Sequence, residues 1–529
     1  MDAHDLQTAA VVDYEINTQI AAFELRASSS SGVPPIHNLP SEVLAQIFNL
    51  LSESYSRDCL VDGDGTSDQG DPSIVYLMPP DVLSQVCSRW RNIALGLQLL
   101  WAHIDIVLSD MWGANLLSRA ELFATRVGVA QPYIHIITLR QQKTFQIDTW
   151  IKSETCIQSR LDKFTSFIAP RMQCFRFDNR SHDENLTWIT RHFLPEAKPG
   201  ILQELTLSNY SINNTFLVAR DNMTVEERMD SNVPVQFLDE LLRPIKVLRL
   251  YNVWFSPASY AYTGLVELRL IANVPCDPYN PISFYTRVLL SCPNLRIFHC
   301  CVLISPQPPP SPIHPVPLEE LEVLNLEGMF PVHADNLLAH ISPGPKPLNL
   351  HLLVEKVSHF PLFSVPALSF FGRSQVTKLV IDVFDWSFDF GEPGQYVSLG
   401  TLLSKLPVNL STLDLRHLPI SHWGEYPASW PTNLSAVSMH SCKTDIATLR
   451  ELTRVCPIQE LTLSNLIIEP HQVDQNALEE EVAKLAPVVK YTPFAPQGSE
   501  DDASRDEEND NEEGEYEESE EQSEEEEWD

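Results

Sequence analysis

Two copies of one eight-residue stretch decide the fold: LQELTLSN at residues 202–209 and IQELTLSN at residues 458–465. In both copies leucines alternate with threonine, as in Leu205-Thr206-Leu207. This period-two alternation is typical of a β-strand with one buried face. The repetition therefore predicts the same kind of strand at two places in the chain that lie far apart in sequence.

Shorter versions of this pattern recur between and beyond the two copies. An apolar residue, two others and an apolar-x-apolar triplet stand at 245–250, 265–270, 295–300, 321–326 and 410–415, with weaker copies at 172–177, 376–381 and 434–439. Such a unit cannot bury its apolar side chains alone, but stacked units form a continuous core. The copies resemble the leucine-rich repeat, in which each unit adds one strand to a curved parallel sheet.

The spacing of the copies is uneven. The five copies between residues 202 and 326 are 20 to 43 residues apart, whereas leucine-rich repeats run ~20–29 residues. We therefore predict an irregular solenoid of roughly nine to twelve strands within residues 130–490. Helices are expected between strands at 235–242, 285–291, 401–406 and 446–455, and a last helix at 473–485 is expected to cap the solenoid. The proline-rich run 306–317 is expected to be an extended loop.

The N-terminal part of the chain has a helical pattern instead. LPSEVLAQIFNLL at 39–51 places apolar residues at helical spacing, and DVLSQVCSRWRNIA at 81–94, followed by LLW at 99–101, does the same. Helices with this much apolar surface cannot bury it on themselves, because a segment of ~60 residues is marginal alone. The pattern predicts a docking module whose core another protein completes; an ordinary buried helical hairpin is the alternative.

These segments resemble the F-box, the three-helix motif that docks substrate receptors onto the Skp-type adaptor of cullin–RING ubiquitin ligases. The resemblance covers residues 36–104, with a loop insertion at 52–79 that a minimal F-box lacks. It implies that an adaptor, and through it a cullin–RING ligase, binds this module. The adaptor-binding residues that it implies are Leu39, Pro40, Glu42, Leu44, Ile47, Phe48, Leu51, Leu83, Val86, Cys87, Trp90, Leu100 and Trp101.

Two further segments flank these parts. Residues 1–31 predict an amphipathic helix followed by a serine-rich linker. Residues 499–529 contain 19 acidic residues and one arginine, so they account for about half of the net charge of −35. Their apolar content is too low to offset the entropy of ordering, and we expect a disordered tail. This tail either keeps the protein soluble or binds a basic partner.

Composition limits the location and the partners. No N-terminal signal peptide is recognisable, and no apolar run approaches the ~18 residues that span a bilayer. The ten cysteines form no CxxC pair, which favours reduced thiols in the cytoplasm or nucleus. The chain outside the acidic tail is itself acidic, so it offers no broad electrostatic footprint for nucleic acid. We expect neither a membrane nor a nucleic-acid partner.

Sequence motifs for catalysis are missing. The chain contains no GxGxxG, no GxxxxGK[ST], no HExxH and no CxxC spacing. His299, His417 and His440 lie on or just after predicted strands and are scattered in sequence. We therefore expect no enzyme, no catalytic residue, no cofactor and no metal site.

The predicted repeats offer a display surface. In each triplet the outer residues point into the core, and the middle residue faces the concave side of the sheet. The candidate substrate-binding residues are the middle residues Arg249, Arg269, His299, Asn325, Asp414 and Thr462. Arg249 and Arg269 are expected on consecutive strands, where they could accept a carboxylate or a phosphorylated side chain.

Together these expectations describe an α/β chain: an all-α F-box, then an irregular leucine-rich-repeat solenoid, then a disordered acidic tail. The F-box resemblance implies a substrate-recognition subunit of an SCF-type E3 ubiquitin ligase, with a protein target on the repeat domain. The alternative is an adaptor-bound scaffold that works without ubiquitin transfer.

Overall fold

The computed structural model describes most of the region between the two termini. The described residues are 35–55, 79–108, 113–138, 155–180, 186, 189, 192–210, 215–216, 235–272, 281–302, 314–329, 331–355, 363–384, 397–423, 433–469 and 475–493. The predicted N-terminal helix, most of the insertion, most of the proline-rich run and the acidic tail lie outside these residues.

Three α-helices open the described chain. They are α1 (Ser41–Tyr55), α2 (Pro79–Val86) and α3 (Ser88–Gly96), and a 3-10 turn at Gln98–Trp101 follows them. The apolar run that sequence reasoning treated as one stretch is divided at Cys87, whose backbone is extended (φ −159°). The Cys87 Sγ accepts a hydrogen bond of 3.5 Å from the Trp90 N–H and so caps the start of α3.

A parallel sheet of fifteen strands follows within the described residues. Its strands are β1 (His103–Leu108), β2 (Tyr133–Thr138), β3 (Cys174–Asn179), β4 (Glu204–Asn209), β6 (Val247–Tyr251), β8 (Glu267–Ile271), β9 (Ile297–Cys301), β11 (Val323–Leu326), β13 (Leu348–Glu355), β14 (Val376–Phe384), β16 (Thr412–Arg416), β18 (Ala436–His440), β19 (Lys443–Asp445), β20 (Glu460–Glu469) and β21 (Val488–Pro493). Each main strand pairs with the next one in sequence, while β19 pairs with the C-terminal half of β20.

Short strands form three two-stranded parallel ladders beside the main sheet. They are β5 (Thr215–Phe216) with β7 (Val253–Trp254), β10 (Val316–Leu318) with β12 (Ile341–Pro343), and β15 (Val397–Ser398) with β17 (Ile420–His422). Helices occupy many of the connections: α4 (Gly113–Arg126), α5 (Thr155–Ile168), α6 (Val235–Leu242), α7 (Pro281–Leu290), α8 (Pro331–Ala339), α9 (Val365–Arg373), α10 (Leu399–Leu403), α11 (Ile446–Val455) and α12 (Gln475–Val482).

The core lies between the sheet and these helices. Parallel strands joined by right-handed crossovers place every connecting helix on the same side of the sheet. The triplet positions predicted to point inward are buried there, such as Phe177, Leu207, Leu250 and Leu463. Helices are about 10 Å across and strands lie ~4.8 Å apart, so this arrangement favours a sheet curved with its strands on the concave side.

A left-handed backbone conformation recurs at one register position, three residues after the middle of the triplet, on β6, β11, β16, β18 and β20. Asn252, His417, Ser441 and Asn465 adopt left-handed backbone conformations with φ between 50° and 55°, and Gly328 has φ 76°. Asparagine tolerates this conformation better than most residues with a side chain. This is the physical reason for the asparagines at 252 and 465.

The sheet has more strands than the sequence pattern predicted, and it begins at His103, ahead of residue 130. The weaker copies at 172, 376 and 434 correspond to β3, β14 and β18. Strand β13 escaped the pattern because Pro347 stands where the leading apolar residue is expected. Helices α6 and α11 have the predicted bounds, and α12 begins two residues later than expected and ends three residues earlier.

One continuous core joins the N-terminal helices to the sheet. Leu44 of α1, Trp101 of the 3-10 turn and Ile104 of β1 belong to the same buried cluster as the strand leucines. We call α1, α2, α3 and the 3-10 turn the helical module (residues 41–101); this module and the sheet therefore share a hydrophobic core at their junction. Within the described ranges, no helix combines the length and apolarity that crossing a bilayer requires.

Candidate binding face

The middle residues of the triplets form one aligned row across the sheet. Strand register places each of them beside its counterpart on the next strand. In strand order the row is Asp105, His135, Arg176, Thr206, Arg249, Arg269, His299, Asn325, His351, Val380, Asp414, Ser438, Thr462 and Lys490. We call this row, with the residues two positions before and after it on each strand, the polar face.

The structure brings four of the six candidate substrate-binding residues together. Arg249, Arg269, His299 and Asn325 lie at paired positions on consecutive strands. Asp414 and Thr462 lie farther along the same row, on β16 and β20. At ~4.8 Å per strand, Asp414 is roughly 14 Å and Thr462 roughly 24 Å from Asn325. The six residues share one face, but they do not form one compact site.

Glu267 lies between the two arginines that sequence reasoning paired. Its Oε1 accepts from Arg249 Nε at 2.8 Å and from Arg269 Nε at 2.7 Å. Burial alone would raise the pKa of Glu267, but these two guanidinium groups outweigh it and lower that pKa. The arginine pair that was expected to bind a partner's phosphate or carboxylate therefore already binds a carboxylate of the chain itself. This corrects the expectation, and only the strand register reveals the contact.

We expect Glu267→Gln to lower the free energy of unfolding by about 1–2 kcal/mol, because two hydrogen bonds from charged donors lose their charged acceptor. The loss should shrink as salt rises, since Arg269 is partly exposed. Urea unfolding at low and high salt measures it. The matched control is Glu204→Gln, because Glu204 lies 3.6 Å from Arg249 and is more exposed. An equal loss in both variants would contradict a specific role for Glu267.

Two histidines in the middle of the face have lowered pKa values, which favours their neutral form. Burial lowers the pKa of His299 to about 4, and the charge of Arg269 acts in the same direction. Burial also lowers the pKa of His351, against the opposing charge of Glu327. These imidazoles therefore offer a partner neutral nitrogen donors and acceptors.

The C-terminal half of the face carries acidic residues with basic neighbours. His417 Nδ1 lies 2.9 Å from Asp382 Oδ1, and His440 Nε2 lies 3.6 Å from Asp414 Oδ1. Arg416 contacts Asp414 through Nη2 at 3.0 Å. His417 and His440, which are 23 residues apart in sequence, thus flank two carboxylates of one surface.

The N-terminal end of the face holds a charged cluster that sequence reasoning missed. The buried His135 lies between two carboxylates, with Nδ1 at 3.0 Å from Asp105 and Nε2 at 2.9 Å from Asp178. Burial alone would lower the pKa of His135, but the hydrogen bonds to both carboxylates outweigh it and raise that pKa. These strands could have been predicted from the apolar-x-apolar triplets in the sequence, Ile104-Asp105-Ile106 and Ile134-His135-Ile136.

Two groups of side chains on this face have the composition of metal-binding sites. One is His103, Asp105 and His135; the other is Glu327, His351 and Asp382. In each group the potential ligand atoms lie within 4.8 Å of one another. The expectation of no metal site came from sequence motifs, which cannot detect ligands brought together by strand register.

The residues implied to bind an adaptor have very different exposures. Leu44, Phe48, Leu83, Leu100 and Trp101 are buried in the protein's own core. They cannot contact a partner in this conformation, so we correct their role to that of supporting the helices. Leu39, Ile47, Cys87 and Trp90 are half-buried, and Pro40, Glu42, Leu51 and Val86 are exposed.

Exposed apolar side chains nevertheless cluster in the sequence of the helical module. They are Ile36, Leu50, Leu51, Val82, Val86, Leu95 and Leu99. Val82 and Val86 are one helical turn apart on α2 and so lie on the same face of that helix. They are 44% and 51% exposed. This apolar helix face is available for contact with another molecule.

The fold and the polar face together define the class of this protein: an α/β chain with a leucine-rich-repeat-like solenoid. No protein-family model and no curated protein matches the chain. Among solved structures it is similar to an internalin (inlF) from Listeria monocytogenes str. 4b F2365, a leucine-rich-repeat protein, with 12% sequence identity and a TM-score of 0.29. The match covers 63% of this chain and 89% of that one. Such a likeness says nothing about what this chain binds.

Proposed function

We propose that this chain is a binding subunit that holds a protein target on its polar face. The observation that carries the proposal is the aligned row of mixed polar side chains, which runs across the sheet on the side opposite the helices. Neutral histidines, asparagine and paired charges stand beside one another there. Such a mixed surface suits a protein partner better than a polyanion, because most of its arginines already have acidic partners.

We further propose that the helical module docks a Skp-type adaptor, so that the chain serves as the substrate receptor of an SCF-type ubiquitin ligase. This finer proposal rests on the F-box resemblance and on the exposed apolar face of α2. The receptor would catalyse no covalent step itself. It would hold the target near a charged conjugating enzyme and so raise the effective concentration of target lysines.

The double variant Val82→Glu/Val86→Glu tests adaptor docking. We expect recovery of a Skp-type adaptor in co-purification to fall at least tenfold, because two carboxylates would be desolvated in an apolar contact. Both side chains are about half exposed, so the fold should survive. The matched control is Val365→Glu/Val408→Glu, at positions that are 80% and 66% exposed on the repeat domain.

Three outcomes are informative. Adaptor bound by wild type and control, but lost in the α2 variant, supports docking through the helical module. Equal recovery with all three proteins excludes docking through the α2 face. No adaptor with wild type removes the adaptor proposal and leaves a repeat protein that binds targets. If the adaptor binds, proteasome-dependent turnover of the bound target separates a receptor from a scaffold, since a scaffold leaves its partner stable.

A further inference from the structure

Three potential ligand atoms converge at the N-terminal end of the polar face. His103 Nε2 and His135 Nδ1 each lie 3.0 Å from the same oxygen, Asp105 Oδ1. Ligands bound to zinc at about 2.0–2.1 Å in a tetrahedron lie roughly 3.3–3.4 Å apart. The two separations from Asp105 are therefore close to those of one coordination sphere, and the two histidine nitrogens lie within 4.8 Å of each other.

The surroundings of His135 favour coordination through Nδ1. A neutral imidazole carries one N–H and one lone pair, yet His135 faces a carboxylate from each nitrogen. If Nε2–H donates to Asp178, the lone pair of Nδ1 points at Asp105, and a cation between them satisfies both groups. Asp178 then forms with His135 the carboxylate–histidine–metal arrangement that orients metal ligands in proteins.

The ligands are held in place by their neighbours. Asp105 and His135 are paired in register on β1 and β2, and His103 is paired with Tyr133. The rings of His103 and Tyr133 stack with centroids 4.5 Å apart and an interplanar angle of 15°. Arg176 Nε binds Asp178 Oδ2 at 2.9 Å and fixes the outer carboxylate. Little rearrangement is needed for a cation to bind.

The second acidic and histidine group on this face is less suited to a cation. Glu327 is about half exposed and lies 3.6 Å from His351 Nδ1. The charge of Arg416 also acts on His351, and that of Glu327 on Arg416. The positive charge of Arg416 therefore opposes the binding of a cation at the second group. At the first group, the guanidinium of Arg176 is bound by Asp178, which is not one of the three ligands.

We propose that His103, Asp105 and His135 bind one divalent transition-metal cation of the zinc class. Two imidazole nitrogens and one carboxylate oxygen are the donors that such a cation prefers, and water completes the tetrahedron. Asp178 is a positioning residue, because it acts through His135. Hard cations such as Mg²⁺ prefer oxygen ligands throughout, so they should bind weakly here.

The test titrates Zn²⁺ into the full-length protein after chelator treatment, with calorimetry giving the number of tight sites. His103→Ala and Asp105→Asn should each bind one equivalent fewer than wild type. Asp178→Asn should keep that equivalent but bind it ~10–100-fold more weakly. His440→Ala is the matched control, because it removes a partly exposed histidine from the same face, and it should bind like wild type.

Circular dichroism checks the fold of each variant, and His103→Gln replaces any alanine variant that is not folded. Co²⁺ in place of Zn²⁺ gives an independent readout, since its visible absorption should be present in wild type and lost with His103→Ala. The proposal is overturned if wild type binds no Zn²⁺ tightly. It is equally overturned if the His103 and Asp105 variants bind the same number of equivalents as wild type.

Discussion

Replacing Trp101 by alanine is expected to lower the free energy of unfolding by about 3–5 kcal/mol, the cost typical of removing a fully buried tryptophan. Trp101 lies in the 3-10 turn between α3 and β1 and has no exposed surface. It is therefore the residue whose removal should most weaken the contact between the helical module and the sheet.

Three contacts of the indole ring account for this effect. Its Nε1–H donates to the Ala94 carbonyl at 2.8 Å, which ties it to α3. Its ring meets Phe123 of α4 edge-to-face, with centroids 4.9 Å apart. The Arg126 guanidinium lies 4.1 Å from the ring centroid on another side. Alanine would remove all three contacts and leave a cavity at the junction of helices and sheet.

Urea unfolding measures the loss, read from the transition midpoint at an unchanged slope. The matched control is Leu99→Ala, two residues earlier in the same turn, where the side chain is 66% exposed and the change should be within about 0.5 kcal/mol. Trp101→Phe should fall between wild type and alanine. A Trp101→Ala protein as stable as the Leu99 control would show that the junction does not depend on this ring.

Alternation and helical spacing predicted the architecture well, because both follow from burial of one face. The helix bounds at 235–242 and 446–455 followed from apolar periodicity and from the prolines and turns beyond them. The strand count fell short at β13, where Pro347 stands in place of the leading apolar residue, and at β1, although Trp101 occupies that position. The alternating leucines of β13 are enough to form the strand, but a pattern this short does not identify a repeat in the sequence.

The site was less predictable, since its geometry depends on strand register. Nothing in the sequence links Glu267 to Arg249, eighteen residues earlier, until β6 and β8 are paired. The same holds for His135 and Asp178, which are 43 residues apart in sequence. In the helical module, periodicity identified the helices but not the burial of each side chain. The reason is that α1, α2 and α3 pack against one another, and α1 and α2 also pack against the 3-10 turn at Gln98–Trp101.

A buried ladder of polar side chains links the first strands, and its centre is Asn179. The Thr138 hydroxyl donates to Asn179 Oδ1 at 3.0 Å, and Asn179 Nδ2 donates to Asn209 Oδ1 at 3.0 Å. Asn252 Nδ2 continues the ladder to the Asn209 carbonyl at 2.9 Å. These groups are shielded from water, so solvent cannot substitute for a hydrogen bond that is lost.

Asn179→Ala is therefore expected to lower the free energy of unfolding by about 2–4 kcal/mol, because two buried neighbours each lose a partner at roughly 1–3 kcal/mol. The matched control is Asn325→Ala on the polar face. Asn325 is half-buried, and its described hydrogen bond is local, from the Glu327 N–H to its own Oδ1. That variant should lose less than about 1 kcal/mol.

Urea unfolding of both asparagine variants measures whether the hydrogen bonds of the ladder stabilise the solenoid. If Asn179→Ala cost no more than Asn325→Ala, water or a shifted side chain would have to satisfy the Thr138 hydroxyl and Asn209 Oδ1. The ladder would then add nothing to the stability that the apolar core already provides. A clear excess for Asn179 means instead that side-chain hydrogen bonds between successive units stabilise the stack, in addition to its apolar core.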